Sequence, residues 1–342
     1  MKSPAEPRST PLAPIALSMG EPAGIAPEVT LKAWAARKAE TLPAFFAVGA
    51  PSLYRDLAAR LMLDIPVAEI SSPAEALSAF DHALPVLPIA LGAPVEDGRL
   101  APANAAAVMR AIDLACDLAS SGAASALVTN PIHKRALYEA GLDVPGHTEY
   151  LAMRTGGATP VMMLSCPGLR VVPVTVHIAL GAVVPTLTTN MIAEKGVILA
   201  RALRRDFGIT RPRIAVAGLN PHAGEEGHIG REEIEIIEPA LDAIRREGAE
   251  VAGPLPPDTM FHAAARARYD AALCMYHDQA LIPIKTIDFE RGVNTTLGLP
   301  IIRTSPDHGT ALDIAGKGIA HPGSLIEAIR LAQEIARHRA AA

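Results

Sequence analysis

The sequence predicts an α/β protein of two domains, in which mixed but mostly parallel sheet is covered by helices. Three observations predict it. Short apolar, β-rich runs alternate along the chain with stretches of helical spacing, the order that builds crossover-connected parallel strands. The 342 residues exceed what one core usually serves, so two cores are expected. Half of the residues are hydrophobic but only 4% are aromatic, the balance of an alanine- and valine-rich α/β protein.

In chain order, the predicted strands cover 13–18, 44–48, 66–70, 86–90, 124–129, 161–165, 170–176, 213–217 and 271–275. Helical stripes fall between them. The first helix begins near Pro27, since proline suits the first helical position. Asn190 reads as an N-cap before Ile192, Lys195, Ile198, Leu199, Ala202 and Leu203, a stripe assigned to the core. Ile234, Ile237, Leu241 and Ile244 share a second helical face, which Pro239 should kink or break. No internal repeat, low-complexity tract or polar linker interrupts the pattern. The chain is therefore expected to cross the domain boundary more than once.

Composition narrows the partners. A net charge of −5 gives no general attraction to nucleic acid or to an anionic membrane, so a bound anion must be held by a local cluster. Residues 1–10 lack the apolar centre of a signal peptide, and no stretch approaches a membrane span. Cys116, Cys166 and Cys274 are scattered and odd in number, which reads as reduced thiols in a cytoplasmic protein.

Three histidines follow apolar strand runs: His177 after Val174-Thr-Val, His222 within Gly218-Leu-Asn-Pro-His-Ala-Gly224, and His277 within Cys274-Met-Tyr-His-Asp-Gln279. A lone histidine at a strand end is usually structural. Three in the same context suggest a divalent-metal site with open positions for substrate, because neutral imidazole is the commonest metal ligand and ligands gather at strand carboxyl ends. Lys285, Asn294 and Arg303, in or beside glycine-bearing loops, combine a point charge, a neutral donor and a bidentate fork, the mixture suited to a small phosphorylated acid. Thr304 and Ser305 add hydroxyls. Asp278 and Asp258 are candidates for proton transfer or for orienting a ligand; loop capping is the competing role.

Three strand-to-helix turns complete the set. In Met19-Gly-Glu-Pro-Ala-Gly-Ile-Ala-Pro-Glu28, Gly20, Glu21 and Gly24 are cofactor candidates, since glycines admit close backbone approach and a helix N-terminus favours an anion. The motif is neither Gly-x-Gly-x-x-Gly nor a Walker loop, and an ordinary turn fits it equally well. Lys134 closes Val128-Thr-Asn-Pro-Ile-His, where it could reach a phosphate or cofactor, although a solvated lysine is the commoner role. In Pro145-Gly-His-Thr-Glu149, His147 and Thr148 stand together as anion donors, with helix capping by Thr148 as the alternative.

Residues 19–28, 128–134, 146–149, 218–227, 253–261 and 274–315 resemble the 4-hydroxythreonine-4-phosphate dehydrogenase family of vitamin B6 biosynthesis, and the likeness is effectively full length. Its most specific carriers are Gly218–Gly224, Met275-Tyr-His-Asp-Gln279, Gly292-Val-Asn-Thr-Thr-Leu-Gly-Leu-Pro300 and Arg303-Thr-Ser-Pro-Asp-His-Gly-Thr310. The resemblance implies a fold like isocitrate and isopropylmalate dehydrogenases, with one domain from 1–138 plus 308–342 and a second, 139–307, carrying metal, substrate and dimer contacts. It implies His177, His222 and His277 as ligands of zinc, magnesium or cobalt, and His147, Thr148, Lys285, Asn294 and Arg303 as substrate contacts. It also implies NAD or NADP without the usual fingerprint, and a homodimer in which His277 faces the partner's metal ligands. Ala26, Glu226 and Ala280 depart from the family pattern without removing a ligand.

The activity implied is NAD- and metal-dependent oxidation of 4-phosphohydroxy-L-threonine at C3, with loss of CO2 to give 3-amino-2-oxopropyl phosphate. Alternatives stay open at the level of the sequence. A dehydrogenase of 4-phospho-D-threonate or 4-phospho-erythronate would keep every motif, and a dihydrodiol dehydrogenase would not need the phosphate cluster. A metal-dependent phosphate-ester hydrolase or a phosphosugar-binding protein would use the same metal and anion sites without NAD.

Overall fold

The computed structural model describes residues 12–141 and 146–341. The N-terminal segment read above for a leader, and Pro145 of the His147 motif, lie outside the described residues. Twelve strands form one sheet: β1 Ile15–Ser18, β2 Phe45–Gly49, β3 Val67–Glu69, β4 Leu84–Pro88, β5 Leu127–Thr129, β6 Val161–Cys166, β7 Leu169–Pro173, β8 Arg213–Ala217, β9 Glu250–Leu255, β10 Ala271–Cys274, β11 Val293–Leu297 and β12 Arg303–Pro306. Their spatial order is β3-β4-β2-β1-β5-β12-β11-β6-β7-β10-β8-β9.

All pairings are parallel except β12 with β11, β11 with β6, and β6 with β7. The mixed, mostly parallel α/β expectation holds. The central reversals turn the sheet's sense, so the carboxyl ends of the two outer parallel blocks point in opposite directions. Because β12 bonds both β5 and β11, the sheet runs unbroken across the boundary expected near residue 307.

The predicted strands are found with ends shifted by a few residues, and three more were not foreseen. β9 is an edge strand that holds Gly253 and Pro254, residues that disfavour a strand interior and that sheets tolerate at an edge. Central β11 and β12 read Val-Asn-Thr-Thr-Leu and Arg-Thr-Ser-Pro, too polar to look like buried strands. Asn294 and Arg303 are therefore strand residues, not loop residues, and Lys285 lies in the helix His277–Ile287.

Helices pack on the sheet through apolar faces. Trp34, Tyr54, Leu57 and Phe45 join one core cluster with Leu199, Leu203 and Ile244, while Ile112, Val108 and Leu127 belong to a second. The helix Thr189–Arg205 is capped by Thr188, whose hydroxyl accepts from the Met191 amide, two residues before the expected Asn190. Near Pro239 a π-helical turn, Glu233–Ile237, gives way to the helix Glu238–Arg246, the break the proline foretold. Cys116, Cys166 and Cys274 are buried and unpaired. Among the described residues no helix is long and apolar enough to cross a membrane.

Candidate active site

The site is assembled at the ends of three neighbouring parallel strands. His177 follows β7, His277 follows β10 and His222 follows β8. Side chains stitch these ends together. The Thr175 hydroxyl donates to the Met275 carbonyl at 2.8 Å, tying the His177 segment to the His277 segment. The buried Gln279 accepts from the Met275 amide at 2.6 Å and donates to the Gly218 carbonyl at 2.7 Å, tying β10 to the His222 loop. The Glu233 carboxylate, also buried, accepts from the amides of Leu219 and Asn220, both at 2.7 Å.

The histidines stand on unusual backbone. His177 has φ 49°, and His222 opens a run with positive φ through Glu226. For L-residues such conformations cost of order 1–3 kcal/mol and concentrate at functional sites. His177 and His277 rings lie 5.7 Å apart between centroids, near enough to meet one ion at the usual metal–nitrogen distance of ~2.0–2.1 Å. The Nδ1 of His277 is 2.7 Å from Asp278 Oδ1, which fixes the ring and leaves Nε2 free to meet an ion. Exposed His222 lies outside the cavity that His177 and His277 line, and among the described residues no three groups form a metal-holding cluster within one chain. Two imidazoles of the trio thus fit a divalent ion together, and the third does not join them within one chain.

A cavity of about 540 Å³ extends from these rings along one face of the central strands. Ser305, Asn294 and Leu164 lie directly across from one another on β12, β11 and β6, so they share that face, and all three line the cavity. At its far side Arg303 is 4% exposed. Its guanidinium donates to Thr129 Oγ1 at 2.8 and 3.1 Å and to Thr296 Oγ1 at 2.9 Å, hydroxyls that orient it without neutralising it. Burial pulls its pKa down to about 10, against a weak opposing pull from Glu149.

His147 and Thr148 begin the helix His147–Arg154 and line the same cavity. No side chain caps that helix. The His147 ring is shielded, and desolvation with the charges of Arg303 and Lys134 pushes its pKa down to about 3, so it is neutral at working pH. Four buried polar atoms on the lining have no hydrogen-bond partner among the described residues: Asn130 Oδ1, His147 Nε2, Asn294 Oδ1 and His308 Nε2. Buried polar atoms are rarely left so, and their convergence marks a polar ligand site.

Other predicted residues fall around this centre. Lys134 lines the cavity, whereas Lys285 pairs with Asp307 of its rim at 2.9 Å. Asp278 is spent on His277. Asp258 is exposed on the turn Pro257–Thr259, which packs against the His222 turn and not on the cavity. Gly20, Glu21 and Gly24 form a packed turn behind the wall. Gly20 has φ 72° and its face is filled by Asn130 and Pro131, the Glu21 amide donates to the Pro131 carbonyl, and Gly24 abuts Thr310. The Glu21 carboxyl is buried, accepts from the Ala23 amide, and has its pKa raised by desolvation. These residues back Asn130 and Pro131, which do line the cavity.

Lys195 is the main correction. Read as part of a core stripe, it lines the cavity and donates to the Val174 carbonyl. A cation within an otherwise apolar stripe was the available signal. Thr129, Thr296 and His308 gave none in isolation.

Residues 41–332 match the family described as pyridoxal phosphate biosynthetic protein PdxA. The chain is 52% identical over 332 residues to a 4-hydroxythreonine-4-phosphate dehydrogenase of Caulobacter vibrioides, covering 95% of this chain and 98% of that one. Against a Ruegeria protein of the same name it is 53% identical over 326 residues, covering 95% and 97%. A crystal structure of 4-hydroxythreonine-4-phosphate dehydrogenase from Klebsiella pneumoniae superposes with TM-score 0.86 at 41% identity, over 95% of this chain and 98% of that one. A terephthalate 1,2-cis-dihydrodiol dehydrogenase from Burkholderia xenovorans is more distant, with TM-score 0.65 and 27% identity over 95% and 98%.

Proposed function

The chain belongs to the pyridoxal phosphate biosynthetic protein PdxA family and is an oxidoreductase, and from that membership we propose that it oxidises 4-phosphohydroxy-L-threonine at C3 in pyridoxal 5'-phosphate biosynthesis. Hydride passes to NAD, and the resulting β-keto acid loses CO2 to leave 3-amino-2-oxopropyl phosphate. The observation that carries this reading is Arg303, a buried cation bonded only to hydroxyls at the wall of a polar cavity, with no ion-pair partner among the described residues. Such a group calls for an anion, and a phosphate suits its planar fork.

Each part of the chain has a proposed task. Arg303, Asn294, His147 and Thr148 hold the phosphate and the carbon chain, and neutral His147 serves as a donor that needs no counter-charge. Lys285, paired with Asp307, supports the same rim. His177, His222 and His277 hold one divalent ion, zinc, magnesium or cobalt, with Asp278 orienting His277. When bound, that ion makes the C3 hydroxyl more acidic and favours the carbonyl that replaces it, while NAD supplies the hydride acceptor. NAD is assigned to the side walled by Asn130 and Pro131, which the Gly20–Gly24 turn supports. We place Asp258 with the His222 loop, and assign the completed site to a homodimer.

The test is a comparison of substrates. With NAD and each metal in turn, the reduced-nicotinamide band should grow fastest, per enzyme and at low substrate, with 4-phosphohydroxy-L-threonine. A higher kcat/KM with 4-phospho-D-threonate or 4-phospho-erythronate would replace the substrate named here. Release of inorganic phosphate with no band would replace the reaction class.

A further inference from the structure

The cavity holds a second cation, partly buried, to which this reading gives no task. Lys195 projects from the helix Thr189–Arg205, which lies against β6 and β11, and its ammonium donates to the Val174 carbonyl, three residues before His177. Lys195, Pro160, Met162, Val176 and His177 are all part of the lining. Among the described residues no carboxylate lies in ion-pair contact with Lys195, and burial lowers its pKa against a weak pull from Glu194. A partly buried ammonium satisfied by one carbonyl has donors to spare and a charge to match.

Position decides what matches it. Arg303 stands on β12, and β11 and β6 intervene before β7 and the His177 end. Three strand steps of ~4.8 Å separate the backbones by about 14 Å, a gap that two long side chains reaching inward shorten to the scale of a small molecule. The cavity is thus charged at both ends, with Arg303 at one, Lys195 at the other and the neutral Asn294 between. A ligand that suits both ends carries two anionic groups.

We propose that Lys195 is a specificity-determining residue that pairs with the carboxylate of the substrate while Arg303 holds its phosphate. This rests on the substrate being a phosphorylated four-carbon acid. The ammonium requires an acid function, so it separates such acids from phosphorylated alcohols and sugars of the same length.

Calorimetry on the full-length, metal-loaded protein tests this with three probes: 4-phospho-erythronate, erythritol 4-phosphate, in which the carboxylate is reduced to an alcohol, and inorganic phosphate. The wild type should prefer the acid to the alcohol by about tenfold or more, the lower range for a charge-assisted bond. In Lys195→Met and Lys195→Gln that preference should collapse to within about threefold, with binding of inorganic phosphate unchanged; Lys195→Arg should retain most of it. An intact preference in both neutral variants overturns the role of Lys195 alone. Equal losses for all three probes in both variants also overturn it, because they mark a structural anchor for Val174. A wild type that binds inorganic phosphate but neither four-carbon probe overturns the substrate reading, and this role with it.

Discussion

At Arg303 the fold has put hydroxyls where a counter-ion would usually sit. Thr129 and Thr296 aim the guanidinium without cancelling its charge, so the desolvation cost of burying it is offset only when an anion enters. Arg303→Met should therefore weaken binding of the phosphorylated substrate by about tenfold or more while leaving NAD affinity within about twofold. Titration of each ligand separately checks this, and equal losses for both would make Arg303 a folding or cofactor residue. Residue type announced this charge in the sequence, as it announced the three histidines. It did not announce that Lys285 would be taken by Asp307, or that Lys195 would leave its stripe for the cavity, since both depend on which face of a helix meets which strand.

Elements, not single residues, set the positions of the histidines. The turn Pro221–Gly227 runs left-handed from His222 to Glu226, a conformation costing about 1–2 kcal/mol for each of its four non-glycine residues. Something must hold it. The Glu233 carboxylate takes the Leu219 and Asn220 amides just before the turn, and its other oxygen accepts from Asn220 Nδ2 at 3.0 Å. Glu233→Ala would strand those donors and free the turn, so metal affinity should fall by about 10–100-fold, as for loss of a partner that orients a ligand. Metal titration beside a melting curve checks it; unchanged affinity in a folded variant would unlink Glu233 from His222. The outer strands were legible because apolar runs and helical spacing mark them. Central β11 and β12 were not, because a strand that lines a polar cavity carries asparagine, threonine and arginine where burial would otherwise demand valine and isoleucine.

For the whole molecule, the arrangement of the histidines points beyond one chain. Each lies near exposed apolar side chains: Leu180, 71% exposed, and Val184 follow His177; Ile229 and Ile234 follow His222; Ile282, 64% exposed, follows His277. Exposed apolar side chains beside a polar site are what the contact face of the homodimer proposed above would present. Composition alone gave no sign of it. If protomers share the metal site, with His277 facing the partner's His177 and His222, co-expressing His222→Ala with His277→Ala should yield heterodimers with one intact site, where each parent has none. The His177→Ala and His277→Ala cross should be restored as well, because the wild-type His177 and His222 of one chain then meet the wild-type His277 of the other. A restored first cross with a silent second would make His222 the residue that crosses the interface, the split that the 5.7 Å approach of His177 to His277 within one chain favours. Silence in both, with heterodimers present, would put all three ligands in one chain and require His222 to move toward the other two before any metal binds.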